Sequence, residues 1–246
     1  MHGEGTFPNM NRYQQFSPSG YAALLSSFRD KGYEVRSYAD VNPSARHLIL
    51  RHDVDFSLSA ARDMADVEAE SGVHSTYFVL LRTEFYNPLS GSGLEAMQHI
   101  VSRGHTIGLH FDAALYPADN AELETAAQRE CGLLEHALGR PVSVLSFHRP
   151  APHLFGSQDR IAGRLNAYAE RFVKHMGYCS DSRGDWHHGE PQENPAVVEG
   201  RAIQLLTHPF WWQAPATPPL DRLKNFLTER SRLLDSEMRH HCTIYR

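Results

Sequence analysis

The stretch His47-Leu48-Ile49-Leu50-Arg51-His52-Asp53-Val54-Asp55 decides how this chain is read. A short apolar run that ends in charged residues reads as a buried strand whose carboxyl end opens onto a functional edge. Residues two apart on an extended chain face the same way, so Asp53 and Asp55 project together. Two carboxylates held side by side resist joint ionisation unless a cation lies between them or one keeps a proton. A metal ligand paired with a base is a natural use of such a pair. A single aspartate at this place would read as an N-cap or a loop residue.

Strand and helix signals alternate on the carboxyl side of this stretch. Ser57 to Glu70 reads as a helix, with Ser57 as N-cap, Ala60, Met64 and Val67 on one face, and Ser71-Gly72 closing it. Ser75 to Leu81 is β-branched and aromatic and reads as strand. Leu94, Met97, Ile100 and Val101 form a helical stripe stopped by Gly104, and His105 to His110 is the next strand. Leu123, Ala127, Cys131, Leu134 and Leu138 mark a long amphipathic helix ended by Gly139. Val142 to Phe147, Tyr178-Cys179 and Ala202 to Thr207 read as strands, and Leu220 to Leu234 as a closing helix. On the amino side, residues 1–45 read as an accessory segment. It carries a helix that starts at Ser17-Pro18-Ser19-Gly20 and stops at Lys31-Gly32. The repeated β-α order predicts parallel strands with crossover helices, as a barrel or a doubly wound sheet. In both, chemistry collects at the carboxyl ends of the strands.

The bulk numbers set the limits. A chain of 246 residues suits one α/β domain spanning 1–246, with a barrel portion over 46–246. A formal charge of −5 argues against a nucleic-acid partner, which needs a clustered basic surface. No apolar run approaches the roughly 18 residues of a membrane span. Met1-His2-Gly3-Glu4-Gly5 shows neither a basic nor an apolar leader region, so the cytoplasm is the expected compartment. Cys131, Cys179 and Cys242 are odd in number and widely spaced, which speaks against a disulfide framework or a zinc knuckle. Histidine is in excess: 16 occur where average usage gives about five. The pairs His187-His188 and His240-His241 read as surface residues, whereas those at strand ends carry the information.

Four further polar clusters fall at such ends. In Gly104-His105-Thr106-Ile107-Gly108-Leu109-His110-Phe111-Asp112, His110 closes the strand, and an imidazole suits Zn²⁺, Fe, Co or Ni. In Ser146-Phe147-His148-Arg149-Pro150, Arg149 can fix a carboxylate by a bidentate pair. Ser180-Asp181-Ser182-Arg183-Gly184-Asp185-Trp186 sets hydrogen-bonding groups beside an indole, a combination that suits a sugar ring and also describes many ordinary loops. In Leu205-Leu206-Thr207-His208-Pro209-Phe210-Trp211-Trp212, His208 follows an apolar strand and precedes an aromatic wall. That place fits a general acid, and it fits a core histidine beneath two tryptophans.

With these clusters in order, the chain resembles the polysaccharide deacetylase (NodB-homology) superfamily. The likeness is nearest to a branch found with bacterial surface-polysaccharide biosynthesis genes. It spans Leu48 to Trp212 and rests on Arg-His-Asp-Val-Asp at 51–55, Ser-Thr-Tyr-Phe at 75–78 and Gly-His-x-Ile-Gly-Leu-His at 104–110. Ser-Phe-His-Arg-Pro at 146–150, Ser-Asp-Ser at 180–182 and Leu-Leu-Thr-His-Pro-x-Trp-Trp at 205–212 complete it. The resemblance implies a distorted (β/α)7-type barrel and a metal-dependent hydrolase that removes an N-acyl group, acetyl or formyl, from a sugar. It implies Asp53 as base, Asp55 and His110 as ligands of a divalent metal, zinc first, Arg149 as the residue steadying the base, and His208 as acid. The two aspartates can exchange roles, because one residue more than in the commoner Asp-Asp form separates them.

One position departs from the pattern. Where the family places a second histidine four residues after the first, this chain has Ala114. His148 is the first choice for the third ligand, Asp112 the second, and His105 a poor third because it begins its strand. Asp181, Trp186, Trp211 and Trp212 are the expected substrate-binding residues. A nucleotide- or lipid-linked sugar of a surface-polysaccharide (lipopolysaccharide) pathway is the expected substrate. The alternatives are an amidase acting on another small or sugar-linked amide, and a non-catalytic carbohydrate-binding relative.

Overall fold

The computed structural model of the chain describes residues 13–150, 152–187 and 189–245. The leader reading of Met1 to Gly5 and one member of the His187-His188 pair fall outside them. The elements in chain order are α1 (Pro18–Asp30), β1 (Glu34–Val35), β2 (His47–Val54), α2 (Leu58–Glu70), β3 (Thr76–Val79), α3 (Gly91–Ser102), β4 (Thr106–Phe111) and α4 (Asn120–Leu138). There follow β5 (Val144–Phe147), β6 (Arg160–Ile161), β7 (Arg164–Asn166), α5 (Glu170–Val173), β8 (Gly177–Ser180), α6 (Pro195–Val198), β9 (Ile203–Thr207) and α7 (Pro219–His241).

Seven strands run parallel in the order β8-β9-β2-β3-β4-β5-β7, with β6 antiparallel on the outside of β7 and short β1 paired to β2. β2 therefore lies inside the sheet, between β9 and β3, as its burial requires. Strands in a flat sheet lie about 4.8 Å apart, so β2 and β7, four places apart, would be separated by about 19 Å. Yet Arg51 on β2 donates through Nη2 to the Tyr168 hydroxyl, just beyond β7, at 3.1 Å. The sheet is rolled, and its two sides face each other across an interior. Among the described residues no ladder joins β7 to β8, so the seven-stranded barrel is open on that side. This is the distorted (β/α)7-type barrel expected from the motifs.

Period-two parity assigns the faces. Ile49, Phe78, Val144, Phe172 and Ala202 fill the interior, while Leu48 and Leu50 face outward beneath α1 and α2. Above Ile49 the inward series on β2 continues as Arg51, Asp53 and Asp55. Gly108 on β4 is required by this packing: a Cβ there would lie 2.7 Å from the Phe78 ring and 3.0 Å from the Val144 carbonyl oxygen. The outer wall over β3, β4 and β5 is closed by α2, α3 and α4 around Ala65, Met97, Cys131 and Leu134.

The described part of the N-terminal segment is built into the barrel. α1 buries Tyr21, Leu25 and Phe28 against the outer face of β2, β8 and β9, capped at its start by the Ser17 side chain. Tyr38 enters the interior, and its hydroxyl donates to Gln204 at 2.6 Å. The closing helix runs to His241, well beyond the Leu234 limit expected from the sequence. The short strands β1, β6 and β7 carry too few residues for a periodicity signal and were not expected. Among the described residues no helix is long and apolar enough to cross a membrane.

Candidate active site

Asp55, the residue after β2, turns toward two imidazoles. His110 Nε2 lies 3.3 Å from Asp55 Oδ1 and His148 Nε2 lies 3.9 Å from the same oxygen. The three ligand atoms fall within 4.8 Å of one another. Zinc bonds of about 2.0–2.1 Å in a tetrahedron give ligand-to-ligand edges of about 3.4 Å, close to this spacing. Asp55 Oδ1 is buried and makes no hydrogen bond. Such an atom is costly unless a cation or a proton faces it.

The far nitrogen of each imidazole is already engaged. His110 Nδ1 shares a hydrogen bond with Ser146 Oγ at 2.7 Å, and His148 Nδ1 with Asp112 Oδ2 at 3.2 Å. Holding Nδ1 fixes the ring and leaves Nε2 for a metal. The donor set of one carboxylate and two neutral-capable imidazoles thus fits a divalent ion. Its third member is His148, the first choice from the sequence, while the Ala114 backbone N–H donates to Asp112. His105 lies elsewhere, in the outer wall against Ser75 and the Ala65 carbonyl.

Asp53 is held from its own strand. Arg51 donates Nε to Asp53 Oδ1 at 2.9 Å and Nη2 to Oδ2 at 2.8 Å, a bidentate pair that is fully buried. The guanidinium is flanked by the Tyr168 ring at 4.6 Å and the Phe78 ring at 5.5 Å. Burial works to raise the Asp53 pKa, but Arg51, His110 and His208 outweigh it and hold the carboxyl at about 2. Burial likewise opposes ionisation of Asp55, and its histidine neighbours hold it below the usual carboxylate range.

Arg149 is not the partner of Asp53. It follows His148 in a left-handed backbone conformation (φ 49°), stands two-thirds exposed at the rim, and pairs with Asp112. The arginine expected on Asp53 was Arg149, and the residue that the structure places there is Arg51. The signal was in the sequence: Arg51, Asp53 and Asp55 share one parity. A motif reading that looked for an arginine at a later strand end passed over it.

His208 approaches from β9 on the other side of Asp55, with Nε2 3.7 Å from Asp55 Oδ2. Its Nδ1 donates to Asp181 Oδ1 at 2.6 Å, and its backbone N–H donates to the same carboxylate. Burial pulls the His208 pKa down, but Asp181 and then Asp55 and Asp53 push it up to about 9. Asp181 is itself fully buried and also accepts from Trp212 Nε1 at 2.6 Å. Both of its oxygens are committed within the protein, one to the His208 ring and the other to Trp212. Two groups held by buried charged partners, Asp53 by the Arg51 guanidinium and His208 by the Asp181 carboxylate, therefore flank the Asp55–His110–His148 cluster.

The three tryptophans are core. Trp186, Trp211 and Trp212 are each 6% exposed or less. Trp186 and Trp212 pack with Phe16, and Trp212 also with Tyr21 of α1, whereas Trp211 packs with Phe56 and Phe210. Of the residues expected to bind substrate, Asp181 is engaged with His208 and Trp212, and Trp186, Trp211 and Trp212 are buried in the wall rather than set at the mouth. Aromatic residues beside a proline-fixed turn read the same whether they line a mouth or seal the wall behind it, and only the packing of α1 distinguishes the two. A further residue missed in the sequence is Tyr86. Its hydroxyl donates to the Val54 carbonyl and accepts from the Leu80 N–H, tying the ends of β2 and β3 together beneath the site.

No protein-family model matches the chain, and no curated protein matches it. Similar solved structures include a Streptococcus mutans CE4 esterase at 14% identity, covering 86% of this chain and 87% of that one, with a TM-score of 0.47. The Streptococcus pyogenes deacetylase PplD, in complex with acetate, is also 14% identical over 84% of this chain and 85% of that one, with a TM-score of 0.44. The chitin deacetylase of the fungal pathogen Colletotrichum lindemuthianum is 14% identical over 74% and 81%, with a TM-score of 0.44.

Proposed function

We propose that this chain is a metal-dependent hydrolase that removes an N-acyl group from a sugar. The carrying observation is Asp55 Oδ1, a buried carboxylate oxygen without a hydrogen bond that faces the Nε2 atoms of His110 and His148. In this reading Asp55, His110 and His148 hold the ion, which when bound polarises an acyl carbonyl and acidifies water. Asp53, ionised and aimed by Arg51, accepts the proton of the attacking water. His208 is protonated at neutral pH because of Asp181, and Nε2 delivers its proton to the departing amine. Asp181 then keeps the ring in place for the next turnover. The finer reading is a divalent zinc ion and an acetyl or formyl amide on a linked sugar of surface-polysaccharide biosynthesis.

The test is metal analysis of the purified protein followed by assay on a panel of N-acetyl sugars, N-formyl sugars and primary amides. The reading expects zinc near one equivalent and release of acetate or formate from a sugar. A protein that stays free of metal after incubation with zinc supports the non-catalytic reading instead. Turnover of the primary amides alone supports an amidase.

A further inference from the structure

The last helix is longer than the body that supports it. Over its first three turns, α7 packs on the barrel. Arg222 is buried, and Phe226 meets the rings of Phe56 (6.0 Å), Phe85 (6.0 Å) and Phe210 (5.4 Å). Beyond Arg230 this support ends. From Ser231 to His241 every residue is exposed except Asp235, which is bonded to Arg239 and Tyr245 of the same segment. That stretch extends about 16 Å at the helical rise of about 1.5 Å per residue. A helical stretch this exposed is marginal in water on its own, and the i,i+4 pairs Asp235–Arg239 and Glu237–His241 offset that only slightly.

The exposed half is nonetheless apolar on one side. Leu227, Leu234 and Met238 are 63%, 58% and 50% exposed. They recur at intervals of seven and four, which sets them on one face. Arg230 and Glu237 are also seven apart, along one edge of this stripe, and Glu237 pairs with His241 of its own helix. In an antiparallel pair with a two-fold axis near Leu234, the stripe packs on its own counterpart. Arg230 then lies beside Glu237 of the second copy, and the contact occurs twice. A parallel pair would drive both barrels into the same end of the helices, whereas the antiparallel pair sets them at opposite ends.

We propose that the outer half of α7 is the interface with a second copy of this chain, formed as an antiparallel helix pair about Leu234. The apolar stripe supplies the contact, and the Arg230–Glu237 exchange sets its direction. This inference is independent of the hydrolase reading.

Light scattering and sedimentation equilibrium of the full chain at high micromolar concentration test it. The expected mass is twice that of one chain, and Leu234→Asp should be a monomer that keeps the thermal transition of the barrel. Arg230→Glu and Glu237→Arg each place like charges together twice and should weaken the dimer by about tenfold or more. The double variant Arg230→Glu/Glu237→Arg restores opposite charges and should regain the wild-type dissociation constant. A wild-type monomer at that concentration overturns the proposal and leaves this face to a different protein. A dimer insensitive to Leu234→Asp, or a double variant no better than the single ones, overturns this interface.

Discussion

Replacing Glu68 tests the outer wall that stands behind the site. Glu68 is fully buried on α2. It accepts from Tyr21 Oη at 2.6 Å, His52 Nε2 at 2.7 Å, Ser75 Oγ at 2.5 Å and Tyr77 Oη at 2.7 Å. One carboxylate thus joins α1, α2, β2 and β3. Through His52 Nδ1, 2.7 Å from Thr207 Oγ1, it also reaches the strand that carries His208. Burial raises the Glu68 pKa, but His52 and then His105 and Ser75 more than reverse that, to about 2 against an ordinary 4.5.

The sign follows from linkage. A carboxyl whose pKa is depressed by folding stabilises the fold above its unfolded pKa, and that contribution is lost as pH falls through the folded value. A depression of this size is worth about 3 kcal/mol at pH 7 and falls to about 1 kcal/mol at pH 3. Urea unfolding of the wild type and of Glu68→Gln, at pH 7 and at pH 3, reads the difference. Glu68→Gln should be less stable by about 3 kcal/mol at pH 7, and the gap should close by about 2 kcal/mol at pH 3. Because the other carboxylates titrate in both proteins, the difference isolates Glu68. A gap that stays constant between the two pH values refutes the linkage, and no gap at pH 7 refutes the hub.

Four more outcomes are expected. Arg51→Met leaves Asp53 buried without its pair and should cost about 3–5 kcal/mol by urea unfolding, whereas Arg51→Lys should fold and lose turnover with zinc occupancy kept. Asp181→Asn removes the charge that lifts the His208 pKa to about 9, so the alkaline limb of the rate profile on an N-acetyl sugar should move toward 6.5. At pH 7.5 that shift alone lowers the protonated fraction about tenfold, and an unmoved limb would remove His208 from the acid role. Ser146→Ala frees the His110 ring and should weaken zinc binding by about 10–100-fold in chelator competition. Trp212→Phe loses the donor to Asp181 and should cost about 1–3 kcal/mol of stability while leaving the KM for the sugar unchanged.

The parallel strand order and the strand ends that carry Asp53, Asp55, His110, His148 and His208 were determined by the sequence alone, whereas the choice of a barrel over a doubly wound sheet came from the resemblance and the rolled sheet. Periodicity and polarity are local properties of a strand, and the carboxyl-end rule converts them into position. His148 was reachable in the same way, as a histidine one residue beyond a buried strand. Which partner each polar group takes was decided only by the tertiary structure. Arg51 and Arg149 have the same chemistry, and it is the rolled sheet, with Tyr168 brought round to β2, that buries one against Asp53 and leaves the other on Asp112 at the rim. Asp181 and the three tryptophans look like a sugar site along the chain, but Phe16 and Tyr21, more than 150 residues away in sequence, cover Trp186 and Trp212, and Phe56 covers Trp211, which makes them a wall. Side-chain identity sets what a residue can do, and the crossing of distant segments sets what it meets.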